Sequence, residues 1–461
     1  MERQPHVLVV SFPAQGHISP LMKLSIQIAA HGLKVTFVTT EVEHAKFMES
    51  LPENFEEQSS ITLVSIPDGV DEDARYDVVR TLEAIETIRR VVPTYLADWI
   101  AETNRSDVDE KISCVIADIS VGGALEVAKK MGLEAVAVWP AGAPCLALAT
   151  HVPRLLQDEI INSDGTIMKD EPIMLAEDAP ACACWSSSDI GWKSSHPILS
   201  KALLGFYSVV PRYAEFYDLI LCNSVYELDS SLFKLVPKAL PIGPLLFTNH
   251  LGSFPGKTWP QDSTCLAWLD KQPPGSVIYL AFRSSTLASA KQVEELALGL
   301  EHSGKPFLWV VRPDFMEGST ARFPDRFHDR VSERAKIVEW APQETVLAHP
   351  SVSCFVSHCG WNSTMEGLAM GVPFLCWPYI ADQFSNKKYI CDVLKTGLEL
   401  SRDENGITSR HEISSKINKL ISSDVIKAKA LHVKDIVRKS SIEGGSSFNN
   451  FNNFIEHIKS L

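Results

Sequence analysis

Two residues far apart in the chain have the side chains of a proton-transfer pair. His17 follows the first apolar run and stands just before Ser19 and Pro20, where a helix is expected to begin. Asp118 ends the run 112–118, so a parallel sheet would set both residues at the carboxyl edge of its strands. A carboxylate there can accept from one imidazole nitrogen and fix the tautomer, leaving the other nitrogen to take a proton. That is the base and its orienting group from a hydrolase triad, without the serine.

A second concentration of chemistry begins at Trp340. Trp-Ala-Pro-Gln spans Trp340 to Gln343, Ser-His-Cys-Gly-Trp-Asn-Ser-Thr-Met-Glu-Gly spans Ser357 to Gly367, and Asp382 and Gln383 close the stretch. Residues 353–357 read as a strand and 362–370 as a helix stopped by Gly371, with Gly360 permitting a tight turn between them. A helix N-terminus just past a strand presents free N–H groups and a positive dipole end to an anion. His358 and Ser363 flank that terminus and can donate to a diphosphate. Glu366, one turn in, can accept from ribose hydroxyls. Trp340 offers a flat face to a base, a contact worth about 1–3 kcal/mol. Taken singly, each residue has a structural reading as well: a Ser or Asn at a helix start caps it, and a Trp fills a core. Only the ordered set points to a nucleotide.

The elements that position these residues are legible in the apolar pattern. Runs at 6–11, 34–39, 61–65, 112–118, 134–139 and 219–223 are rich in Val and Ile, lack polar alternation and are separated by helix-length segments. Strands of a parallel sheet covered on both faces read this way. Ser19 as N-cap, Pro20 at the first helical position and Gly32 at the stop mark the first crossover helix. The second half repeats the pattern with strands at 276–282, 306–311, 336–339, 353–357 and 372–376, and a helix at 291–303 closed by Gly304. The expected plan is an acceptor-binding domain over 1–244, a linker over 245–262, a nucleotide-binding domain over 263–443 and a final helix over 444–461. In that helix Phe448, Phe451, Phe454, Ile455 and Ile458 recur at helical spacing.

Bulk properties narrow the function class. At 461 residues the chain exceeds what one core usually supports. A net charge of -14 and the lack of a basic stripe argue against a nucleic-acid partner. The ten cysteines have no metal-finger spacing and read as reduced, buried thiols. The N-terminal apolar run stops at Ser11, and no stretch approaches the about 20 apolar residues of a membrane span. A cytoplasmic location is expected.

From Trp340 to Gln383 the chain resembles the donor-binding signature of the plant family 1 UDP-glycosyltransferases. The likeness extends to Phe12-Pro13-Ala14-Gln15-Gly16-His17, Asn223-Ser224, Ile242-Gly243-Pro244-Leu245 and Pro306-Phe307-Leu308-Trp309. The resemblance implies an α/β GT-B fold of two facing, doubly wound Rossmann-like domains. It also implies an inverting transfer without a metal or a cofactor beyond the co-substrate UDP-glucose. Position by position, Trp340 would stack on uracil and Gln343 help hold the uridine. His358, Asn362 and Ser363 would hold the diphosphate, and Glu366 the ribose. Trp361, Asp382 and Gln383 would hold the sugar, with Ala341, Gly360 and Ser284 completing the donor set. Gln383 at the last signature position goes with glucose. His17 and Asp118 would be the catalytic base and its orienting partner.

Two departures from that family stand out. After 276–282 the family runs into Gly-Ser, whereas this chain has Arg283 before Ser284. Arg283 could grip the diphosphate, crowd it or turn to solvent. Gly123 stands where relatives carry a Trp, which should enlarge the acceptor side or shift the helix start. The acceptor pocket is expected from Pro13–His17, Trp139–Pro144 and Cys182–His196, segments apolar enough for a lipophilic aglycone. A phenolic or flavonoid is the first expectation, a terpenoid or steroid alcohol the second, and the enzyme is expected to act as a monomer. The alternatives are another UDP-sugar donor, a ligand-binding protein disabled at Arg283, or a nucleotide-sugar epimerase.

Overall fold

Val- and Ile-rich runs without polar alternation become strands covered on both faces. In chain order they are β1 (His6–Val10), β2 (Lys34–Thr40), β3 (Ile61–Ile66), β4 (Ile112–Asp118) and β5 (Glu134–Trp139). A small hairpin of β6 (Ile173–Met174) and β7 (Cys184–Trp185) precedes β8 (Leu219–Cys222) and β9 (Ala239–Pro241). All but the hairpin form one sheet in the order β3-β2-β1-β4-β5-β8-β9, parallel throughout. The connecting helices are α1 (Gln15–Ala30), α2 (Glu41–Ser50), α3 (Phe55–Ser59), α4 (Val78–Ser106), α5 (Gly123–Lys130), α6 (Ala143–Gln157), α7 (Pro197–Arg212) and α8 (Tyr226–Phe233). The winding reverses between β1 and β4, so the loops leaving these two strands diverge and open a crevice at their carboxyl ends.

The computed structural model describes residues 4–50, 55–67, 69, 78–106, 111–169, 171–175, 181–194, 196–246, 263–282, 289–311 and 323–461. Arg283, Ser284 and positions 247–262 of the expected linker lie outside the described residues. Two compact units divide the chain, Met1–Pro260 with Lys439–Leu461, and Gln261–Arg438.

The second unit carries α9 (Ser263–Leu269), β10 (Val277–Ala281), α10 (Ala290–Ser303), β11 (Phe307–Val310), α11 (Phe327–Val331) and β12 (Ala335–Val338). It continues with α12 (Gln343–Ala348), β13 (Val352–Ser357), α13 (Trp361–Met370), β14 (Phe374–Cys376), α14 (Gln383–Lys388), β15 (Gly397–Glu399), α15 (Arg410–Ser422) and α16 (Asp424–Ser441), which passes into the first unit after Arg438. Its sheet runs β12-β11-β10-β13-β14-β15, again parallel, and reverses between β10 and β13. Gly304 and Gly371 close α10 and α13 with φ of 69° and 70°, a left-handed conformation that costs glycine nothing.

The last helix, α17 (Ser446–Lys459), belongs to the first unit. Phe451, Phe454, Ile455 and Ile458 lie in one core with Val7, Val9, Val35 and Ile116 of the sheet. Asn450 Nδ2 donates to the Pro241 carbonyl at 2.9 Å and Ser446 Oγ to Glu227 at 2.9 Å, which fixes the helix at both its apolar and polar faces.

Helix α1 begins at Gln15 rather than after Ser19, because the Ala14 carbonyl already accepts from His17 N at 2.8 Å and Ile18 N at 2.9 Å. Pro20 lies inside the helix, past the first turn, and forgoes one i→i−4 hydrogen bond. Of the two readings of Gly123, the shifted helix start agrees with α5 beginning there, and among the described residues the space beside it is occupied: a Cβ at 123 would stand 2.5 Å from Pro93 Cγ, and one at Gly122 would meet the Tyr213 ring. The space is filled by α4 and by Tyr213.

Candidate active site

The reversal between β1 and β4 is what makes neighbours of two residues 101 positions apart. The chain leaves β1 through buried Ser11 and Phe12 and enters α1, with His17 in its first turn. His17 Nδ1 lies 2.7 Å from Asp118 Oδ2, with the His side chain 23% exposed and the Asp 0%. The other carboxylate oxygen, Oδ1, accepts from Ser120 N at 2.8 Å and caps the short turn Ile119–Val121. An ionised carboxylate only accepts, so Nδ1 carries the hydrogen and the Nε2 lone pair is left to take a proton. Phe12 and Phe206 enclose the imidazole, with ring centroids 5.0 Å and 6.4 Å from it.

The second unit builds its site on the turn between β13 and α13. The left-handed residue of that turn is Cys359, φ 64°, not Gly360, whose φ of -62° any residue adopts. Glycine at 360 serves a different purpose: a Cβ there would meet His358 Nε2 and force that ring to move. Cys359 N donates to Ser357 Oγ at 3.0 Å, and Thr364 Oγ1 donates to the Gly360 carbonyl at 3.1 Å, so the turn is tied at both ends. His358, Trp361, Asn362, Ser363 and Glu366 are all buried around it. The first turn of α13 is thereby aimed past the strand end, as an anion site requires.

Gln343, at the start of α12, joins the same cluster. Its Nε2 donates to Ser363 Oγ at 2.9 Å and to Glu366 Oε2 at 2.6 Å. Tyr279 OH donates to its Oε1 at 3.4 Å. Burial, and then the Glu366 charge, push the Tyr279 phenol well above its ordinary range, so it stays a donor. Ala341 is buried and Trp340 half-buried beside α12. Gln383 Oε1 accepts from Tyr379 N at 2.8 Å and Ile380 N at 3.1 Å, so its amide oxygen is spent on its own turn. Its NH₂ group is the part left for a ligand, which must then accept.

Asn386 was not anticipated from the sequence. Its Nδ2 donates to Asp382 Oδ2 at 2.8 Å and to the Cys359 carbonyl at 2.9 Å, joining the start of α14 to the β13–α13 turn. The signal was available in its spacing of four from Asp382 on one helix. Ser284 lies outside the described residues. Among the described residues, no helix is long and apolar enough to cross a membrane.

Residues 241–443 match the family model described as UDP-glucoronosyl and UDP-glucosyl transferase, and residues 4–61 match the glycosyltransferase N-terminal domain. UDP-glycosyltransferase 83A1 of Arabidopsis thaliana is 40% identical over 99% of this chain and 97% of its own. The limonoid UDP-glucosyltransferase of Citrus unshiu is 32% identical over 98% of this chain and 90% of its own. Among solved structures, a UDP-glucosyltransferase from Polygonum tinctorium capable of glucosylating indoxyl superposes with a TM-score of 0.83 at 28% identity, covering 100% of both chains. With two parallel α/β units of the GT-B plan and these relatives along its whole length, the chain belongs to the plant family 1 UDP-glycosyltransferases, enzymes acting on small molecules.

Proposed function

We propose that this enzyme is an inverting, UDP-glucose-dependent O-glucosyltransferase that acts on a hydroxyl of a small lipophilic acceptor. The observation that carries the reading is the 2.7 Å contact of His17 Nδ1 with the fully buried Asp118 carboxylate. His17 Nε2 takes the proton as the acceptor oxygen attacks the anomeric carbon from the side opposite UDP. The bond from that carbon to the diphosphate oxygen breaks, and UDP leaves with the electron pair. Backside attack on the α-linked donor gives a β-glucoside.

Charge developing on the diphosphate is met by the N-terminus of α13, His358, Asn362 and Ser363, so the transfer proceeds without a metal. Trp340, Ala341, Gln343 and Glu366 hold the uridine and ribose. Trp361, Asp382 and Gln383 hold the glucose, Gln383 by donating its NH₂ to a sugar hydroxyl. Two of the relatives carry glucosyltransferase in their names, which supports glucose as the sugar. Phe12 and Phe206 beside His17 favour a flat aromatic acceptor, a phenolic or flavonoid before a terpenoid. None of the ten cysteines is in a disulfide, which fits a reducing, cytoplasmic setting. The enzyme needs no cofactor beyond the co-substrate and works as a monomer.

The test is glucoside formation by the purified protein in the presence of EDTA, with a panel of phenols, flavonoids, terpenoid alcohols and steroids. A β-glucoside from UDP-glucose is the expected product. Turnover only with another UDP-sugar, or only after metal is added, overturns the donor or the metal-free part. Tight UDP binding with no product from any donor overturns the proposal as a whole.

A further inference from the structure

Arg89, in the middle of α4, has no role in the signature or in the proton-transfer pair, yet its side chain is only 8% exposed. A guanidinium keeps its charge, and removing a charge from water is costly unless something inside the protein matches it. Its ion-pair partner Glu86, 2.8 Å from Nη1, is 68% exposed, and pairs with so exposed a carboxylate contribute little. Nη2 is buried and has no hydrogen-bond partner among the described residues. A saturated structural network therefore does not account for the burial.

The other contacts converge on the His17–Asp118 pair from two sides. Arg89 Nε donates to the Ser120 carbonyl at 3.2 Å, and Ser120 N in turn donates to Asp118 Oδ1 at 2.8 Å. The guanidinium carbon lies 5.0 Å from the centre of the Phe206 ring, which is 5.6 Å from Phe12 and 6.4 Å from His17. One rigid, planar cation thus touches the turn that carries the carboxylate and the ring that backs the imidazole. The glycines after β4 permit it: a Cβ at Gly123 would press on Pro93, one turn further along α4, at 2.5 Å.

We propose that Arg89 is a positioning residue for the transfer. It locks the turn after Asp118 and the Phe206 ring, so that His17 and Asp118 hold their alignment while the proton moves. The inference rests on His17 as the base, and the experiment separates the two.

In the full-length enzyme, R89M, R89K, G123A and H17A are compared by kcat, KM for both substrates, UDP affinity by calorimetry and thermal midpoint. R89M is expected to lower kcat between about tenfold and about 100-fold, the range for a misplaced reacting group, with UDP affinity unchanged. R89K should recover part of kcat, since an ammonium keeps the charge but cannot bind Ser120 and lie flat on Phe206 together. G123A, which keeps Arg89 but displaces α4, should lower kcat with UDP affinity unchanged. Where R89M does not fold, R89K and G123A carry the same comparison. The proposal is overturned if R89M keeps kcat within twofold of wild type while H17A is inactive. It is equally overturned if UDP affinity falls with kcat, or if R89K does no better than R89M. An active H17A removes the base itself, a different failure.

Discussion

Asp118→Asn tests the proton-transfer pair more sharply than a truncation does. The Asp118 Oδ1 position accepts from Ser120 N at 2.8 Å, so an asparagine must keep its carbonyl oxygen there and point its NH₂ at His17. Nδ1 of His17, 2.7 Å from Oδ2 in the native pair, then has to accept. The ring hydrogen moves to Nε2, and the lone pair needed for the acceptor proton is lost. Removing a charge-assisted hydrogen bond alone costs about 1.5–3 kcal/mol, or roughly 10- to 150-fold in rate. The inverted tautomer adds to this, and in hydrolase triads the same exchange costs about 10,000-fold. The expected fall in kcat therefore lies between about 100-fold and about 10,000-fold, with UDP affinity by calorimetry unchanged. Asp118→Ala leaves the imidazole free to choose its tautomer, so D118A should retain more activity than D118N. D118N within threefold of wild type refutes the reasoning, and so does D118A falling below D118N.

Gly360→Ala should weaken UDP binding by about tenfold or more, measured by calorimetry, because its Cβ would meet His358 Nε2 and displace it from the α13 N-terminus. Glu295, 9% exposed, pairs with Arg410 at 2.6 Å. The guanidinium hydrogen bonds outweigh desolvation and hold its carboxyl down at about 2. A depressed folded value contributes stability that is present above the unfolded value of about 4.3 and is lost as pH falls toward 2. Glu295→Gln should lower the thermal midpoint at pH 7, and the difference from wild type should shrink between about pH 4.5 and pH 2. A constant difference across that range speaks against the pair. Phe454→Ala, which empties a site between α17 and the first sheet, should destabilise by about 3–5 kcal/mol and lower the first unit's thermal midpoint. An unchanged midpoint would show that α17 is not part of that core.

The order of strands and helices was written in the chain, because a strand covered on both faces must be apolar at nearly every position and has little room for ambiguity. Even Gly304 and Gly371 marked where α10 and α13 stop, since a left-handed closing residue selects glycine locally. The strands β9 and β15 do not stand out in the sequence, because Ala-Leu-Pro and Gly-Leu-Glu lie in no longer apolar run and carry no period. The start of α1 was misplaced for a related reason. Ser19 and Pro20 are good cap chemistry, but the tight exit from β1 makes the Ala14 carbonyl the first acceptor.

Within the two sites, the sequence determined which side chains were present and which stood at strand ends or at a helix start. It could name His17 and Asp118 as a pair only on the premise that β1 and β4 are neighbours, a matter of sheet order that no local segment encodes. Tertiary packing decided the rest. It assigned the left-handed turn to Cys359 and gave Gly360 the task of clearing His358. It also turned the Gln383 oxygen back onto its own turn, joined Asp382 to Cys359 through Asn386, and pressed α4 onto Gly123 so that Arg89 reaches Ser120. The longer of these contacts join residues 27 and 31 positions apart, Asn386 to Cys359 and Arg89 to Ser120. They follow from how whole elements fill space, a property of the packed chain and not of any window along it.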